Sequence, residues 1–170
     1  TRVDNTSGFA HSDLSSDDIK KQNIGQDLPY ALNSMASVVI NSDAGNGVGY
    51  TGIRIRGSDG TRINVTINGV PVNDAESQGT YFVDMPDFLS STNNIQVQRG
   101  VGTSANGAGA FGASINMQTK KKKKKAYAQI NNSFGSFNTM KNTIAAGTGL
   151  INNHFTFDAR ASRIASDGYI

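Results

Sequence analysis

The sequence predicts an α+β domain of short strands, short helices and long loops, followed by the first antiparallel strands of a transmembrane β-barrel. Two observations carry the first part. The 19 glycines concentrate between residues 45 and 112, which implies many tight turns, and Ile, Val and Phe alternate at period two between them. A third observation carries the second part: beyond residue 125 the alternation lengthens into three successive stretches of about ten residues, apolar on one face and polar on the other.

Composition narrows the chemistry. The 170 residues suit one compact domain plus an appendage. There is no cysteine, and only His11 and His154 offer imidazole, so neither a disulfide framework nor a metal or haem centre is expected. The count of 16 Lys+Arg against 13 Asp+Glu looks basic, yet residues 120–125 are all lysine and the rest of the chain is mildly acidic. No nucleic-acid-binding face is therefore expected, and no function is assigned to those six lysines. No window holds the ~18 apolar residues of a spanning helix, so any membrane contact is expected through strands, with the export signal outside this stretch.

Residues 1–26 read as polar and aperiodic, with a helix start at Ser15-Ser16-Asp17-Asp18, where side-chain oxygens can cap exposed amides. Residues 27–32 read as a second short helix, capped by Asp27 and with Pro29 in its first turn. A short strand at 37–40 leads into the glycine-rich loop 41–52. Residues 53–57 (IRIRG) and 63–67 (INVTI) both alternate and are expected to pair through the tight link Ser58-Asp59-Gly60, with Asn68-Gly69 making the next turn. A polar loop at 74–83 carries Tyr81 and Phe82, and strands follow at 95–100 and 113–119.

In the final part, Ala126, Ala128, Ile130 and Phe134 share a face opposite Tyr127, Gln129, Asn131 and Ser133. Ile144, Ala146 and Leu150 likewise oppose Lys141, Thr143 and Gly147, and Phe155, Phe157, Ala159 and Ala161 oppose Asp158, Arg160 and Ser162. A turn at Asn152-Asn153 separates the last two stretches. The dyad pattern fits a barrel wall; alternation alone leaves an ordinary sheet on a soluble core open.

Four ordered motifs point further: Ile55-Arg56-Gly57, Asn68-Gly69-Val70, the run 95–100 (IQVQRG) and the run 106–117 (NGAGAFGASINM). In this order and spacing they resemble the plug domain of TonB-dependent outer-membrane receptors, over roughly residues 1–119. Gln96, Asn68 and Asn106 depart from the family's usual Glu, Asp and Tyr. The resemblance implies a small mixed sheet plugging a barrel of ~22 strands. It also implies the domain division 1–119 (plug), 120–125 (hinge) and 126–170 (first three barrel strands). Three strands cannot close a barrel, so the chain is expected to be part of a larger protein.

What the resemblance implies for function is energy-coupled uptake of a scarce ligand across the outer membrane of a Gram-negative bacterium, with a ferric siderophore expected. Thr1-Arg2-Val3 looks like the tail of the box that recruits a TonB-type energy transducer. An accessory surface lipoprotein or a barrel-assembly complex is a further conceivable partner. Two alternatives stand beside this reading: an unfinished barrel held by an assembly machine, and a soluble β-rich binding module.

Site residues follow from the same motifs. Arg56 and Arg99 are implied to lock the plug against barrel glutamates, which suits a guanidinium's forked bonding. Gly57, Gly69, Gly100, Gly107, Gly109 and Gly112 are the motif glycines. Ligand contact is expected from Asp43 and Asn46, from Asp59, Gly60 and Thr61, and from Gln78, Tyr81 and Phe82, with the aromatics the strongest candidates; a small core under that loop is the competing role for Phe82. Residues 102–109 lack the Gly-Lys-Ser/Thr ending of a phosphate loop. Asp84 and Asp87 flank Pro86, and capping of the Phe88-Leu89 turn is their expected role. No catalytic constellation, cofactor site or metal site is read, so no enzyme is expected.

Overall fold

The computed structural model describes Val3 and residues 8–101 and 109–169; the predicted motif glycine Gly107 and the Thr1-Arg2 pair lie outside the described residues. Along the chain run β1 (His11–Leu14), α1 (Ser16–Gln22), α2 (Leu28–Ala31), β2 (Val38–Ser42), β3 (Thr51–Ile55), β4 (Ile63–Ile67), β5 (Val70–Pro71), β6 (Thr92–Arg99), β7 (Ala113–Thr119), β8 (Tyr127–Gly135), β9 (Thr139–Gly147) and β10 (Asp158–Ala165). Short 3₁₀ turns occupy Gly60–Arg62, Phe82–Asp84 and Phe88–Ser91.

The strands form three sheets. One has five strands in the order β1-β6-β7-β4-β5 and is mixed, because β4 and β7 run parallel while the other pairs are antiparallel. β2 and β3 make a two-stranded ribbon, and β8, β9 and β10 an antiparallel meander. The core lies between the five-stranded sheet, the ribbon and the two helices. Ile55, Ile95, Val97, Ile115, Leu32 and Ile19 are among its members. Burying such a side chain is worth roughly 1.5–3 kcal/mol, which makes this cluster the main fastening of the domain.

Local signals explain the helices. Ser15 and Asp18 exchange hydrogen bonds with each other's backbone amides at 3.3 Å, a capping box that starts α1 and aims Ile19 into the core. Asp27 stands at the N-cap of α2 but makes no side-chain cap bond; its carboxylate accepts from the Thr51 hydroxyl at 3.2 Å, tying α2 to β3.

Two expectations are corrected. Residues 53–57 and 63–67 do not pair: β3 joins β2, and β4 joins β7 and β5. Arg56 and Gly57 both take left-handed backbone (φ 51° and 77°), and Asp59 caps the following 3₁₀ turn, so the link turns a corner between sheets. The stretch read as aperiodic also holds β1, an edge strand paired with β6; only Leu14 of its four residues is buried, so it leaves no apolar period.

The meander reverses the burial of a soluble sheet. Ile130, Phe134 and Ile144 are 69%, 77% and 60% exposed, whereas Lys141 and Thr143 are buried against the rest of the molecule. Polar-in, apolar-out alternation is what a wall facing lipid requires. Asn152 and Asn153 both adopt positive φ between β9 and β10, as their turn predicted. The third strand starts later than expected, at Asp158, because residues 151–155 close on themselves through an Ile151–Phe155 bridge.

Candidate functional site

A cavity of about 270 Å³ opens where the 3₁₀ turn Gly60–Arg62, the 77–82 loop and β3 meet. The Asp59 carboxylate accepts from the Thr61 amide at 3.0 Å and its hydroxyl at 2.5 Å, which fixes this turn and holds the Asp59 pKa below its ordinary value. Asn73 fastens the opposite loop. Its amide group donates to the carbonyls of Ile63 and Gln78, both at 2.9 Å, and its oxygen accepts from the Val65 amide at 2.8 Å. Beside the cavity, a Cβ on Gly52 would lie 2.6 Å from the Asn41 side-chain oxygen and would push that amide aside.

The structure brings together only some of the residues expected at a ligand site. Asp59, Gly60, Thr61, Tyr81 and Phe82 line this cavity. Tyr81 is exposed at its mouth; Phe82 is buried and belongs to the core cluster, so it forms the floor. Thr80 adds a buried hydroxyl with no hydrogen-bond partner. Gln78 is exposed on the loop but is not a lining residue. Asp43 and Asn46 sit elsewhere, on the β2–β3 loop, where the Asn46 side chain donates to Ser166 at 2.6 Å and the Tyr169 amide donates to Ala44 at 3.0 Å. That loop docks on the end of β10.

The motif glycines explain one another. The Gly100 amide donates to the Gly112 carbonyl, and the Gly112 amide to the Arg62 carbonyl, each at 2.8 Å. A Cβ on Gly112 would lie 2.4 Å from that of Ser58, so the turn after β3 can approach only a glycine. Arg56 reaches the Arg99 carbonyl at 3.5 Å, and Arg99 donates to the Ser12 hydroxyl at 2.7 Å and the His11 carbonyl at 3.4 Å. Both arginines therefore bond within the first domain, Arg99 clamping β6 to β1.

The ion pair that crosses to the meander was not anticipated. The Asp87 side chain accepts no backbone amide of the turn it was expected to cap. Its carboxylate lies 2.5 Å from Lys141 of β9 and 2.5 Å from Arg160 of β10, and accepts from Ser162 and Ser90. Two cations outbid a backbone cap for one buried carboxylate. Burial alone would raise the Asp87 pKa, but the hydrogen bonds from Lys141, Ser162 and Ser90 outweigh it and leave the carboxyl below its ordinary value. Lys141 also donates to Asn23 at 2.5 Å and Ser90 at 3.1 Å. The available signal was a lysine and an arginine on the polar faces of neighbouring strands, which on an inward face need a buried acid opposite.

The model of the TonB-dependent receptor plug domain matches residues 4–114 of this chain. The chain belongs to that family. The matched stretch holds the mixed sheet with the β2–β3 ribbon and the two helices, and the antiparallel meander follows it. Similar solved structures include the siderophore receptor PirA from Acinetobacter baumannii (19% identity, TM-score 0.66, 91% of this chain and 24% of that chain covered). The ferric-catecholate import receptor Fiu from E. coli K12 is similar at 19% identity and TM-score 0.71, with 94% and 22% covered. The copper transporter OprC is similar at 18% identity and TM-score 0.69, with 97% and 25% covered. The chain thus spans about a quarter of the length of these receptors. A search of curated proteins returns no match.

Proposed function

We propose that this chain is the plug (1–119), hinge (120–125) and first wall strands (126–170) of a receptor that draws a scarce ligand through the outer membrane of a Gram-negative bacterium. The carrying observation is the cavity at Asp59–Thr61 and Tyr81, which is lined by a phenol, the hydroxyls of Thr61, Ser77 and Thr80 and an acid, with Phe82 as its floor. Such a mixture of one aromatic face and convergent hydroxyls suits a small chelate with both apolar and hydrogen-bonding surface. A ferric siderophore is the ligand class we assign, in keeping with two of the similar receptors named above. Gln78, exposed on the 77–82 loop, makes a secondary contact, and Asp43 and Asn46 meet the solute on their own loop, apart from this cavity. Arg56 and Arg99 pair with carboxylates of the barrel wall, a role that the motif resemblance supports, and a TonB-type transducer engages the segment before Val3.

The test uses the full-length receptor in a strain deleted for it. Tyr81→Ala and Thr61→Ala are expected to weaken cell-surface binding of a ferric chelate several-fold to about tenfold each, since an aromatic contact covered by the ligand, or a hydrogen bond to it, is worth on the order of 1 kcal/mol. Unimpaired growth of the deletion strain on every ferric chelate would remove the siderophore assignment.

A further inference from the structure

The Gln96 side chain, only 1% exposed, spends its whole hydrogen-bonding capacity inside the plug. Its oxygen accepts from the Val3 amide at 2.7 Å and from the Gln98 side chain at 3.2 Å. Its nitrogen donates to the Val3 carbonyl at 2.9 Å and to the Asp13 carboxylate at 3.1 Å. A carboxamide offers two donors and two acceptor sites, so none is left over. Half of that capacity goes to the N–H and C=O of one residue, the pair of bonds by which a strand holds its antiparallel neighbour. Gln96 therefore reads backbone, and residue 3 is what it holds.

This grip belongs to the present chain, because Gln96 stands where the family's motif usually has Glu. A carboxylate there could accept from the Val3 amide but could not donate to the Val3 carbonyl.

The seat can also be vacated. Val3 is buried, yet it stands outside the hydrophobic core cluster. The residues of β4, β6 and β7 that share the Gln96 face are Asn64, Thr66, Gln98, Ser114 and Asn116, all polar. The Ser114 hydroxyl and the Asn116 amide nitrogen are buried there without a hydrogen-bond partner. Lifting residue 3 away thus uncovers groups that water can satisfy and leaves the core closed.

We propose that the Gln96 carboxamide is a latch for the chain's own N-terminus: it docks the backbone of residue 3, which must leave before a transducer can draw on the residues preceding it. This rests on the receptor reading, in which the transducer engages the segment before Val3. Docking and engagement then compete, so Gln96 sets the fraction of receptors open to the transducer.

The full-length receptor in nanodiscs, with Val3→Cys as its sole cysteine, reports docking through its rate of maleimide labelling. Gln96→Met, similar in size but without the amide, is expected to raise that rate about tenfold, the combined effect of two lost hydrogen bonds. Gln118→Ala, on the same face but bonded to Asn94, is expected to leave it unchanged. Ile115→Cys, in the core, is expected to stay protected in both backgrounds. An unchanged Val3→Cys rate in Gln96→Met overturns the proposal, and so does equal exposure of Val3→Cys and Ile115→Cys, which marks general loosening. Adding the periplasmic domain of a TonB-type transducer is expected to speed labelling at position 3 and to show tighter binding to Gln96→Met than to the parent. Binding with position 3 still protected overturns the latch alone; no binding to either form overturns the receptor reading beneath it.

Discussion

Asp87 and Lys141 form a 2.5 Å ion pair across the boundary between plug and wall, with both side chains only 2% exposed. Arg160, at 27%, completes the arrangement from the neighbouring strand. A pair this deeply buried holds the plug in one orientation; its net contribution to stability is small beside the loss from breaking it.

Removing one partner exposes that asymmetry. Asp87→Asn strands a buried ammonium and is expected to destabilise plug docking by about 3 kcal/mol, the low end of the range for a broken buried pair, because Arg160 can turn toward water. The double change Asp87→Leu/Lys141→Met is expected to recover most of that loss. Urea-induced release of the plug in the full-length receptor measures both, and a single variant as stable as the parent rules the pair out as a fastening.

The two buried plug carboxylates predict opposite responses to pH. The Asp87 pKa is lowered, so its stabilising contribution is complete above the ordinary value of about 4 and is lost only as pH falls through the lowered one. Asp27 is raised by burial, which hydrogen bonds from Thr51 and Gly49 only partly offset, so ionising it costs stability as pH climbs through the raised value. Asp27→Asn should therefore stabilise the plug by up to about 1 kcal/mol at neutral pH and lose that advantage in strong acid. Melting curves across pH separate the two.

Gln96 grips Val3 as a strand would, accepting from its amide at 2.7 Å and donating to its carbonyl at 2.9 Å. The same amide nitrogen donates to Asp13 at 3.1 Å, and Gln98 donates to the Gln96 oxygen at 3.2 Å. Gln96→Glu would set a second carboxylate against Asp13 and the Val3 carbonyl. It is expected to cost roughly 2–3 kcal/mol by losing the donations to the Val3 carbonyl and Asp13 while still accepting from the Val3 amide, whereas Gln96→Ala frees that amide to hydrogen exchange with a smaller loss. Protection of the Val3 amide in Gln96→Ala would refute the grip.

Gly112→Ala must push aside Ser58, and is expected to destabilise the plug by roughly 1–3 kcal/mol. Gly109→Ala meets no atom within 4 Å among the described residues and is expected to change stability by under about 0.5 kcal/mol. Equal thermal midpoints for the two variants would contradict this division of the motif.

Much of the plug was legible before folding. The α1 cap is written in Ser15 and Asp18, the turn after β4 in Asn68-Gly69, and the outward face of the wall in Ile130, Phe134 and Ile144. Other features were not. Period two reports that one face of a strand is apolar but not which strand lies beside it, so 53–57 and 63–67 looked like partners although their link turns between sheets. Nor did alternation reveal that the polar face is buried as well: Asn64, Thr66, Gln96, Gln98, Ser114 and Asn116 are all covered. The site was half legible, because loop composition marks an apex without saying whether its side chains meet a cavity, as Tyr81 does, or the end of β10, as Asn46 does.

By itself, the sequence determined the family, the caps and turns, and which face of the last strands is apolar, because each depends on residues within a few positions of one another or on a local period. Only the tertiary structure decided that Asp87 serves Lys141 and Arg160 instead of capping the backbone of its own turn, and that Lys20 and Lys120 line one cavity. Those relationships join residues far apart along the chain, and a buried charge takes whichever partner the packed fold puts within reach.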